Sequence, residues 1–397
     1  MKIAILGPVD TRDLYSLIKK KDIKSLPKGH GVSVLAHIIL GLLELGHNVS
    51  IITLSEDIFK EMVIYKNKKF KIYYCPMRKR AFRFSNGLIG RAANFWYREI
   101  QFMKKAILID KPDIVNAHWA YEYAFAAIVS KKKYILTTRD IPHVILKYQT
   151  NLYRFIRLIM ACLTLRISKR ITVPSNYAKL QTQKYTNSPI KIIPNCLKKD
   201  LSKFKIKKKK INNKIKIVMI NSGFHPRKNI KIALKAFKKF NKNFPTSSLF
   251  LYGHEMEKTG ICYRWAKENN LIKNVLFYGF LPQVKLMKIL PKYDILLHTA
   301  LEETFGNIFV ESMVRGVPVI AGKNSGAAAE VVKGHGLLVD VTDVDQIVIG
   351  LTKFSTDPQF WSKIRYKAYK NAKKKYNYLS IAKKYLSLYK KTLANKF

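Results

Sequence analysis

The alternation of apolar and polar positions is most informative between Tyr293 and Asp340. Residues 293–299 form an apolar run that predicts a buried strand, and a short polar loop follows at 302–307. An apolar helix is predicted over 308–314, and Arg315-Gly316 ends it before the next strand begins at Val317. This succession predicts the βαβ unit of an open parallel sheet.

One carboxylate interrupts the predicted helix. Glu311 has apolar neighbours on every side of the helix, so the pattern predicts that it is buried. A buried carboxylate is costly unless a ligand hydroxyl or a protein group binds it, and both interpretations stay open here. The preceding loop brings a helix N-terminus to the carboxyl end of a strand, which suits a phosphate. Together the two features favour an anionic ligand with hydroxyl groups, such as a nucleotide sugar.

The two glutamates of this stretch are separated by seven residues, and Glu303 stands in the segment E-T-F-G. This resembles the E-x7-E signature of retaining glycosyltransferases with the GT-B fold, in particular glycosyltransferase family 4, the group 1 enzymes. Segments 324–330 and 336–340 resemble the G-G-x-x-E turn and the G-x-L-V-x strand of that family. Within the E-x7-E segment three positions depart from the usual residues of the family, Thr304, Ser312 and Val314, and Arg139 and Cys196 depart at two other motifs. The resemblance implies an α/β chain with two Rossmann-like, doubly wound parallel-sheet domains facing a cleft.

The resemblance also implies roles for individual residues. Glu311 would bind the ribose hydroxyls of the donor. Glu303, with the backbone of Phe305, Gly306 and Asn307, would hold the transferred sugar. The remaining donor-binding candidates lie at two other predicted strand ends: Gly253, Phe280 and Leu281.

The turn at 221–229 is similar to the G-R-L-x-x-x-K-G segment of the family, whose Arg and Lys hold the donor diphosphate. Lys228 takes the Lys position, but Phe224 stands where the Arg is usual and the spacing is one residue short. Arg227 is our hypothesis for the missing cation. Two cations and a helix end would then stabilise the leaving diphosphate without a metal.

Two motifs in the N-terminal half resemble the same family. Gly29 and Gly31 lie in a loop between a first strand and an apolar helix, near the expected donor phosphates, although they could serve only to shape a turn. This loop has neither a P-loop pattern nor G-x-G-x-x-G, so nothing indicates ATP or NAD. His118 ends an apolar run, where an open sheet places its ligands, and resembles the family histidine that approaches the transferred sugar. A purely structural histidine is the alternative.

Composition limits the remaining possibilities. The chain has 397 residues with 48% hydrophobic content, enough for two domains. It has no apolar run long enough to cross a membrane and no signal segment, and its four cysteines lack C-x-x-C spacing. We therefore expect a cytoplasmic protein with no metal site and no cofactor besides the nucleotide sugar.

The net charge of +49 predicts attraction to an anionic surface. We expect a membrane rather than specific nucleic acid, so the protein would be peripheral at the inner face of the cell membrane. Two segments interleave basic with aromatic or aliphatic residues, at 78–105 and 142–170, as interfacial helices do. Ordinary helix packing and the codon bias of an AT-rich genome are alternative explanations.

The predicted domains are 1–197 on the acceptor side, a basic linker at 198–214, a nucleotide-sugar domain at 215–370, and a helix at 371–397 that returns to the first domain. The function implied is retaining transfer of a sugar, with a UDP-sugar favoured as donor. The acceptor would be a glycan, lipid-linked, in cell-surface polysaccharide or lipopolysaccharide synthesis. A sugar-nucleotide 2-epimerase of the same fold would act on the donor alone, and a non-enzymatic basic scaffold would not bind nucleotides.

Overall fold

The computed structural model describes residues 1–31, 33–84 and 87–395. Residues 32, 85–86 and 396–397 lie outside the described residues. They belong to the predicted first domain, to the basic and aromatic segment 78–105 and to the predicted C-terminal helix. The chain forms two compact units, one of Met1–Lys198 with Tyr378–Phe397 and one of Lys199–Asn377. Among the described residues, no helix is both long and apolar enough to cross a membrane.

The first unit is built on an eight-stranded sheet with the order β3-β4-β2-β1-β5-β6-β7-β8, parallel except for the edge strand β3. Its strands are β1 Lys2–Leu6, β2 Asn48–Ser55, β3 Val63–Lys66, β4 Phe70–Pro76, β5 Ile114–His118, β6 Tyr134–Thr137, β7 Ile171–Val173 and β8 Ile190–Ile192. Its helices are α1 Lys20–Ile23, α2 Ser33–Glu44, α3 Tyr97–Asp110, α4 Glu122–Val129, α5 Pro142–Tyr148, α6 Leu152–Ile167, α7 Asn176–Thr182 and α16 Tyr378–Leu393, with 3₁₀ turns at Thr11–Leu17 and Gln183–Tyr185.

Both faces of this sheet are covered, and its central strands are buried at almost every position. Along β1, Ala4 and Leu6 pack into a core shared with α3, α4 and α6. Ile3 and Ile5 point the other way, into a core shared with α2 and α16. One layer of helices therefore lies on each face of the sheet.

The second unit has a six-stranded, fully parallel sheet with the order β11-β10-β9-β12-β13-β14. Its strands are β9 Lys216–Ile220, β10 Ser248–Tyr252, β11 Val275–Gly279, β12 Ile295–His298, β13 Val319–Gly322 and β14 Leu337–Val339. Its helices are α8 Lys199–Lys203, α9 Ile230–Asn243, α10 Ile261–Glu268, α11 Gln283–Ile289, α12 Asn307–Val314, α13 Ala328–Val332, α14 Val344–Thr356 and α15 Pro358–Lys375, with 3₁₀ turns at Pro226–Lys228 and Leu290–Lys292. The two parallel sheets flanked by helices confirm the predicted fold class.

The segment predicted as a linker, 198–214, is packed on the second unit. It begins with α8, Arg315 lies over the Phe204 ring at 4.1 Å, and Ile211 is buried in the core of this unit. Apolar residues between the lysines, among them the buried Leu201 and Ile211, explain this packing. The returning helix begins at Tyr378, so residues 371–377 belong to the second unit.

Among the described residues of the basic and aromatic segment 78–105, only Tyr97 and the residues after it are helical. The interfacial helix predicted over its whole length is therefore wrong. Arg78 is buried and bound to Glu99 at 2.6 Å, and Arg98 donates to the carbonyl of Phe59. Internal ion pairs and hydrogen bonds thus occupy several of the basic groups that the sequence assigned to a surface.

In each sheet the strand order reverses beside the first strand of the unit. The second sheet reverses between β9 and β12, and the first between β1 and β5. Open α/β sheets bind their ligands outside the carboxyl ends of the strands at such a point.

Candidate active site

A cluster of charged side chains lies at the carboxyl ends of β9 and β12. Lys228 Nζ donates to Glu303 Oε1 at 2.5 Å, and His298 Nε2 lies 3.1 Å from the same oxygen. Lys228 and His298 are buried, whereas the Glu303 side chain keeps a small exposed fraction. The cluster therefore places a cation and a carboxylate side by side at the reversal point of the second sheet.

The loops that carry these groups are joined by backbone. Leu301 N donates to the Arg227 carbonyl at 2.8 Å, and Thr299 Oγ1 donates to the carbonyls of Lys228 and Asn229. Arg227 Nη1 also binds Glu302 Oε2 at 3.1 Å. The turn after β9 and the loop after β12 thus form one connected structure, in which two cations face two carboxylates.

Burial and pairing perturb the acids of this cluster in opposite directions. Burial alone raises the pKa of Glu303, but the charge of Lys228 and the hydrogen bond from His298 outweigh it and hold that pKa well below its usual range. Burial raises the pKa of Glu302, and Arg227 only partly opposes this. Burial also lowers the pKa of His298 against the pull of Glu303, so the imidazole is neutral near pH 7.

These opposite shifts predict opposite pH dependences of stability. Glu303 contributes stability above its ordinary pKa of 4.5, and this contribution is lost as the pH falls below that value. The free-energy difference between wild type and Glu303→Gln should therefore be about 3 kcal/mol at pH 7 and shrink in acid. Urea unfolding at pH 7, 5 and 4 measures it.

Glu302→Gln is the matched control for this experiment. The pKa of Glu302 is raised in the folded state, so the wild type should gain stability relative to the Glu302→Gln variant as the pH falls. Parallel curves for the two variants would contradict the assigned pairing of the cluster.

The helix that follows the loop begins at Asn307, one residue before the predicted start. Gly306 caps it with φ +78°, and Asn307 is exposed in the first turn. Phe305 is buried, and its ring packs against Tyr376 at a centroid distance of 5.6 Å. The Phe305 side chain is therefore packed within the protein, whereas Asn307 is exposed at the start of the helix.

Glu311 is not fully buried, so that expectation is wrong. It lies on the partly exposed stripe of α12, and its Oε1 accepts from Gln283 Nε2 at 2.5 Å. The other side of the helix is buried through Phe309, Val310 and Met313. The carboxylate is therefore accessible to a ligand and already oriented by an amide from α11.

The ends of β10 and β11 carry the other donor-binding candidates. Gly253 follows β10 with φ +134°, and a Cβ there would lie 1.6 Å from the carbonyl oxygen of Asn221. Phe280 follows β11, is 59% exposed, and stacks on His254 at 4.6 Å. Leu281 is half-buried beside it. Four neighbouring strands thus place candidate groups at one edge of this sheet.

The first unit presents His118 at the carboxyl end of β5. The residue is fully buried, and neither ring nitrogen has a hydrogen-bond partner among the residues that the structure describes. Burial, and secondarily the charge of Arg139, lowers its pKa well below the usual value. The imidazole is therefore neutral and can accept or donate a hydrogen bond.

Gly29 and Gly31 allow their loop to lie against the turn after β1. A Cβ on Gly31 would lie 2.0 Å from the Pro8 carbonyl carbon, and one on Gly29 would lie 2.3 Å from the Val9 oxygen. A Cβ on Gly7 would approach that of His118 to 2.9 Å. The three glycines therefore bring the loop, the end of β1 and His118 close together at the reversal point of the first sheet.

Sequence reasoning missed three groups of this site. His298 lies at the carboxyl end of an apolar run, which predicts only a buried strand. The same signal, a polar residue at the carboxyl end of a strand, identifies His118 and applies equally to His298. Glu302 stands beside Glu303 without an assigned role. Gln283 had no sequence signal, because its contact with Glu311 joins α11 to α12. Among residues 1–31, 33–84 and 87–395 no cluster of His, Cys, Asp or Glu could hold a metal ion.

Solved structures share this fold. The sucrose-phosphate synthase of Thermosynechococcus elongatus matches with a TM-score of 0.76 at 16% identity, covering 100% of both chains. HepE of Anabaena, solved in complex with UDP, matches with a TM-score of 0.66 at 15% identity, covering 98% of this chain and 99% of its own. At such identities the likeness shows the GT-B fold alone.

Curated relatives match mostly over part of their length. A GDP-mannose-dependent monoacylated alpha-(1-6)-phosphatidylinositol monomannoside mannosyltransferase of Corynebacterium glutamicum is 29% identical over 149 residues, 36% of this chain and 38% of its own. A probable sucrose-phosphate synthase of rice is 40% identical over 77 residues, 19% of this chain and 8% of its own. The chain thus spans well under half of these two relatives. The phosphatidylinositol N-acetylglucosaminyltransferase GPI3 subunit of Saccharomyces cerevisiae is 21% identical over 89% of this chain and 78% of its own.

Two family models match consecutive parts of the chain. The model described as Glycosyltransferase Family 4 matches residues 31–201, and the one described as Glycosyl transferases group 1 matches residues 202–375. Together they extend across both units, including all the candidate residues from Gly31 to Glu311. The chain belongs to the group 1 glycosyltransferases, family 4, and is an enzyme of the GT-B fold.

Proposed function

We propose that this glycosyltransferase moves a sugar from a nucleotide-diphosphate sugar to a glycan acceptor with retention at the anomeric carbon. The observation that carries the proposal is the cluster of Arg227 and Lys228 beside Glu302 and Glu303, at the reversal point of the second sheet. The cations complement a diphosphate, and the carboxylates complement sugar hydroxyls.

Lys228 and Arg227 stabilise the leaving diphosphate in this proposal. The ammonium of Lys228 carries three N–H donors, so it can bind a phosphate oxygen while Glu303 accepts another of its hydrogens. Charge on the bridging oxygen grows as the bond to the sugar breaks, and fixed cations stabilise that state most. A leaving-phosphate oxygen then helps to deprotonate the acceptor, and His118 contacts the transferred sugar.

Glu311 is assigned to the ribose of the donor. We expect Glu311→Gln to weaken donor binding by about tenfold, because a charged acceptor holds a hydroxyl more strongly than an amide does. Isothermal titration with the donor measures the change. Glu268→Gln, at an exposed position of α10 in the same unit, is the control, and an unchanged Kd for the Glu311 variant would refute the ribose assignment.

A UDP-sugar is the favoured donor, since HepE shares the fold and was solved with UDP. The mannosyltransferase relative is named as GDP-mannose-dependent, so the base is best determined by direct screening. Thermal shifts against UDP-, GDP-, ADP- and CMP-sugars provide the test. A donor at 100 times its Kd adds about 2.7 kcal/mol of stability, and no response to any of the four would contradict the proposal.

A lipid-linked acceptor is proposed because two relatives are named as acting on phosphatidylinositol compounds. Synthesis of cell-surface polysaccharide or lipopolysaccharide at the inner face of the cell membrane then agrees with the net charge of +49. Transfer to a glycan acceptor, rather than turnover of the donor alone, is the outcome that separates this function from epimerisation.

A further inference from the structure

Helix α6 is apolar on its outer side as well as its inner side. Its inner side packs Met160, Ala161 and Leu165 into the core of the first unit. Its outer side exposes Leu152, Phe155, Leu163 and Ile167, with between 46% and 61% of each residue accessible. Their spacing of three, eight and four residues places them along one stripe of the helix. Such a stripe is unusual on a protein surface unless another phase or partner covers it.

A cation-lined cavity adjoins this stripe. It has a volume of about 710 Å³ and lies between the C-terminal end of α6 and the segment 183–189. Its charged lining residues are all basic, Arg166, Lys169 and Lys184, and each of them is exposed. Leu163 lines the cavity and also belongs to the apolar stripe. A ligand can therefore occupy both only if it joins an anion to a hydrocarbon chain.

The surrounding charge has one sign. No Asp or Glu occurs between Asp140 and Asp200, a stretch that contains α5, α6, α7 and both sides of the cavity. Lys and Arg elsewhere in the molecule are often paired, as Lys228 and Arg78 are, and within α6 the buried Arg157 is paired with Glu122. No ion pair is found for the exposed Arg166, Lys169 or Lys184 within the described ranges. An anionic surface would meet no acidic side chain in this stretch.

We propose that α6 and this cavity form a binding site for anionic lipid, with the stripe of α6 inserted among the acyl chains. The phosphate of one lipid head group would bind Arg166, Lys169 and Lys184. At about 24 Å the helix is suited to lie in the interface, and aliphatic residues beside cations have the pattern of an interfacial helix. Nucleic acid would leave the three aliphatic residues of this stripe uncovered. This site rests on the proposed membrane acceptor, and its residues belong to the first unit, whereas Glu311 and the charged cluster belong to the second.

The test is flotation of the full chain with vesicles of phosphatidylcholine, with or without phosphatidylglycerol. We expect binding to the mixed vesicles that weakens as salt is added. The variant Arg166→Gln/Lys169→Gln/Lys184→Gln should reduce the partition coefficient about 100-fold. The variant Leu163→Ser/Ile167→Ser should reduce it about tenfold at unchanged charge.

Each variant has a matched control. Lys235→Gln/Lys238→Gln/Lys242→Gln removes three exposed charges from α9, and Val284→Ser/Ile349→Ser removes two exposed apolar side chains of the second unit. Both controls should bind within about threefold of wild type, because they leave the proposed surface intact. If the triple lysine variant of α9 loses as much vesicle binding as the Arg166, Lys169 and Lys184 variant, vesicle binding depends only on net charge and the site is refuted. Wild-type partition by either α6 variant would also refute it.

Two further arms separate the alternatives. Soluble glycerol phosphate should not displace the protein at equal phosphate concentration, and displacement would identify a site for free phosphate instead of lipid. Thermal shifts with nucleotide sugars on the same variants should equal those of wild type. If the protein binds vesicles but no nucleotide sugar stabilises it, the proposed function is refuted and the lipid site is retained. If a nucleotide sugar stabilises the protein but it does not bind vesicles, only the lipid site is refuted.

Discussion

Lys228→Ala is expected to lower the turnover of sugar transfer by about 100-fold or more, the effect of removing one group that stabilises charge in a transition state. The structure holds this ammonium in a fixed position, with Glu303 at 2.5 Å and the Lys228 carbonyl bonded to Thr299. A fixed cation requires little reorganisation as the diphosphate leaves. We therefore expect most of the loss in kcat, with a smaller change in KM.

Lys231→Ala is the matched control, because Lys231 is exposed one turn further along, at the start of α9, and interacts with the Phe224 and Trp265 rings. Both variants remove one positive charge from the same region, so a general electrostatic effect would lower both activities equally. Initial rates with saturating donor distinguish the two cases, and circular dichroism confirms the fold of each variant. Equal activities for the two variants, or wild-type turnover for Lys228→Ala, would rule out the assigned role.

The fold was predictable because its signals are local. Apolar runs such as 293–299 predict strands, and the Arg315-Gly316 stop correctly separates α12 from β13. Parallel strands bring their carboxyl ends to one edge, so polar residues at the carboxyl ends of strands, such as His118, could be picked out as candidates from the sequence. The observed order of the strands then places the ends of β9 and β12 side by side.

The pairing within the candidate site was not predictable, because it joins residues that are distant in the sequence. Lys228 and Glu303 are 75 positions apart, and no pattern along the chain indicates that they share a hydrogen bond. The apolar composition around Glu311 predicted full burial, but the angular position of this residue on α12 leaves it half-exposed. Composition gives the average environment of a helix, while the orientation of a single side chain depends on which face meets the sheet.

The basic segments show the same limit. Arg78 occurs in a run rich in basic and aromatic residues, and the structure uses it in a buried pair with Glu99. Arg166 occurs in a similar run and is exposed beside a cavity. The difference lies in the acids available: Glu99 is 21 positions from Arg78, whereas the whole stretch around Arg166 has no acidic residue. Counting basic residues therefore predicts an anionic partner only where no acid can pair with them.

Gly253→Ala is expected to destabilise the second unit by about 4 kcal/mol, the sum of a strained backbone and an overpacked contact. Gly253 has φ +134°, which L-residues rarely adopt, and a Cβ would lie 1.6 Å from the Asn221 carbonyl oxygen. The obstacle is backbone on the neighbouring strand end, so no side-chain rotation relieves it. The ends of β9 and β10 would separate, and the turn that carries Lys228 would shift with them.

Gly334→Ala separates the two contributions. Gly334 has φ +74° in the same unit, and the nearest atom to its added Cβ is the flexible Lys367 Nζ at 3.8 Å. This variant carries the penalty of a left-handed backbone without a clash, so it should cost about 1 kcal/mol. Urea unfolding measures both variants, and thermal shifts with the identified donor report the effect on the site. Equal destabilisation would show that the clash adds nothing at Gly253. Unchanged donor-induced thermal shifts for Gly253→Ala would show that the close approach of β9 to β10 is not required for donor binding.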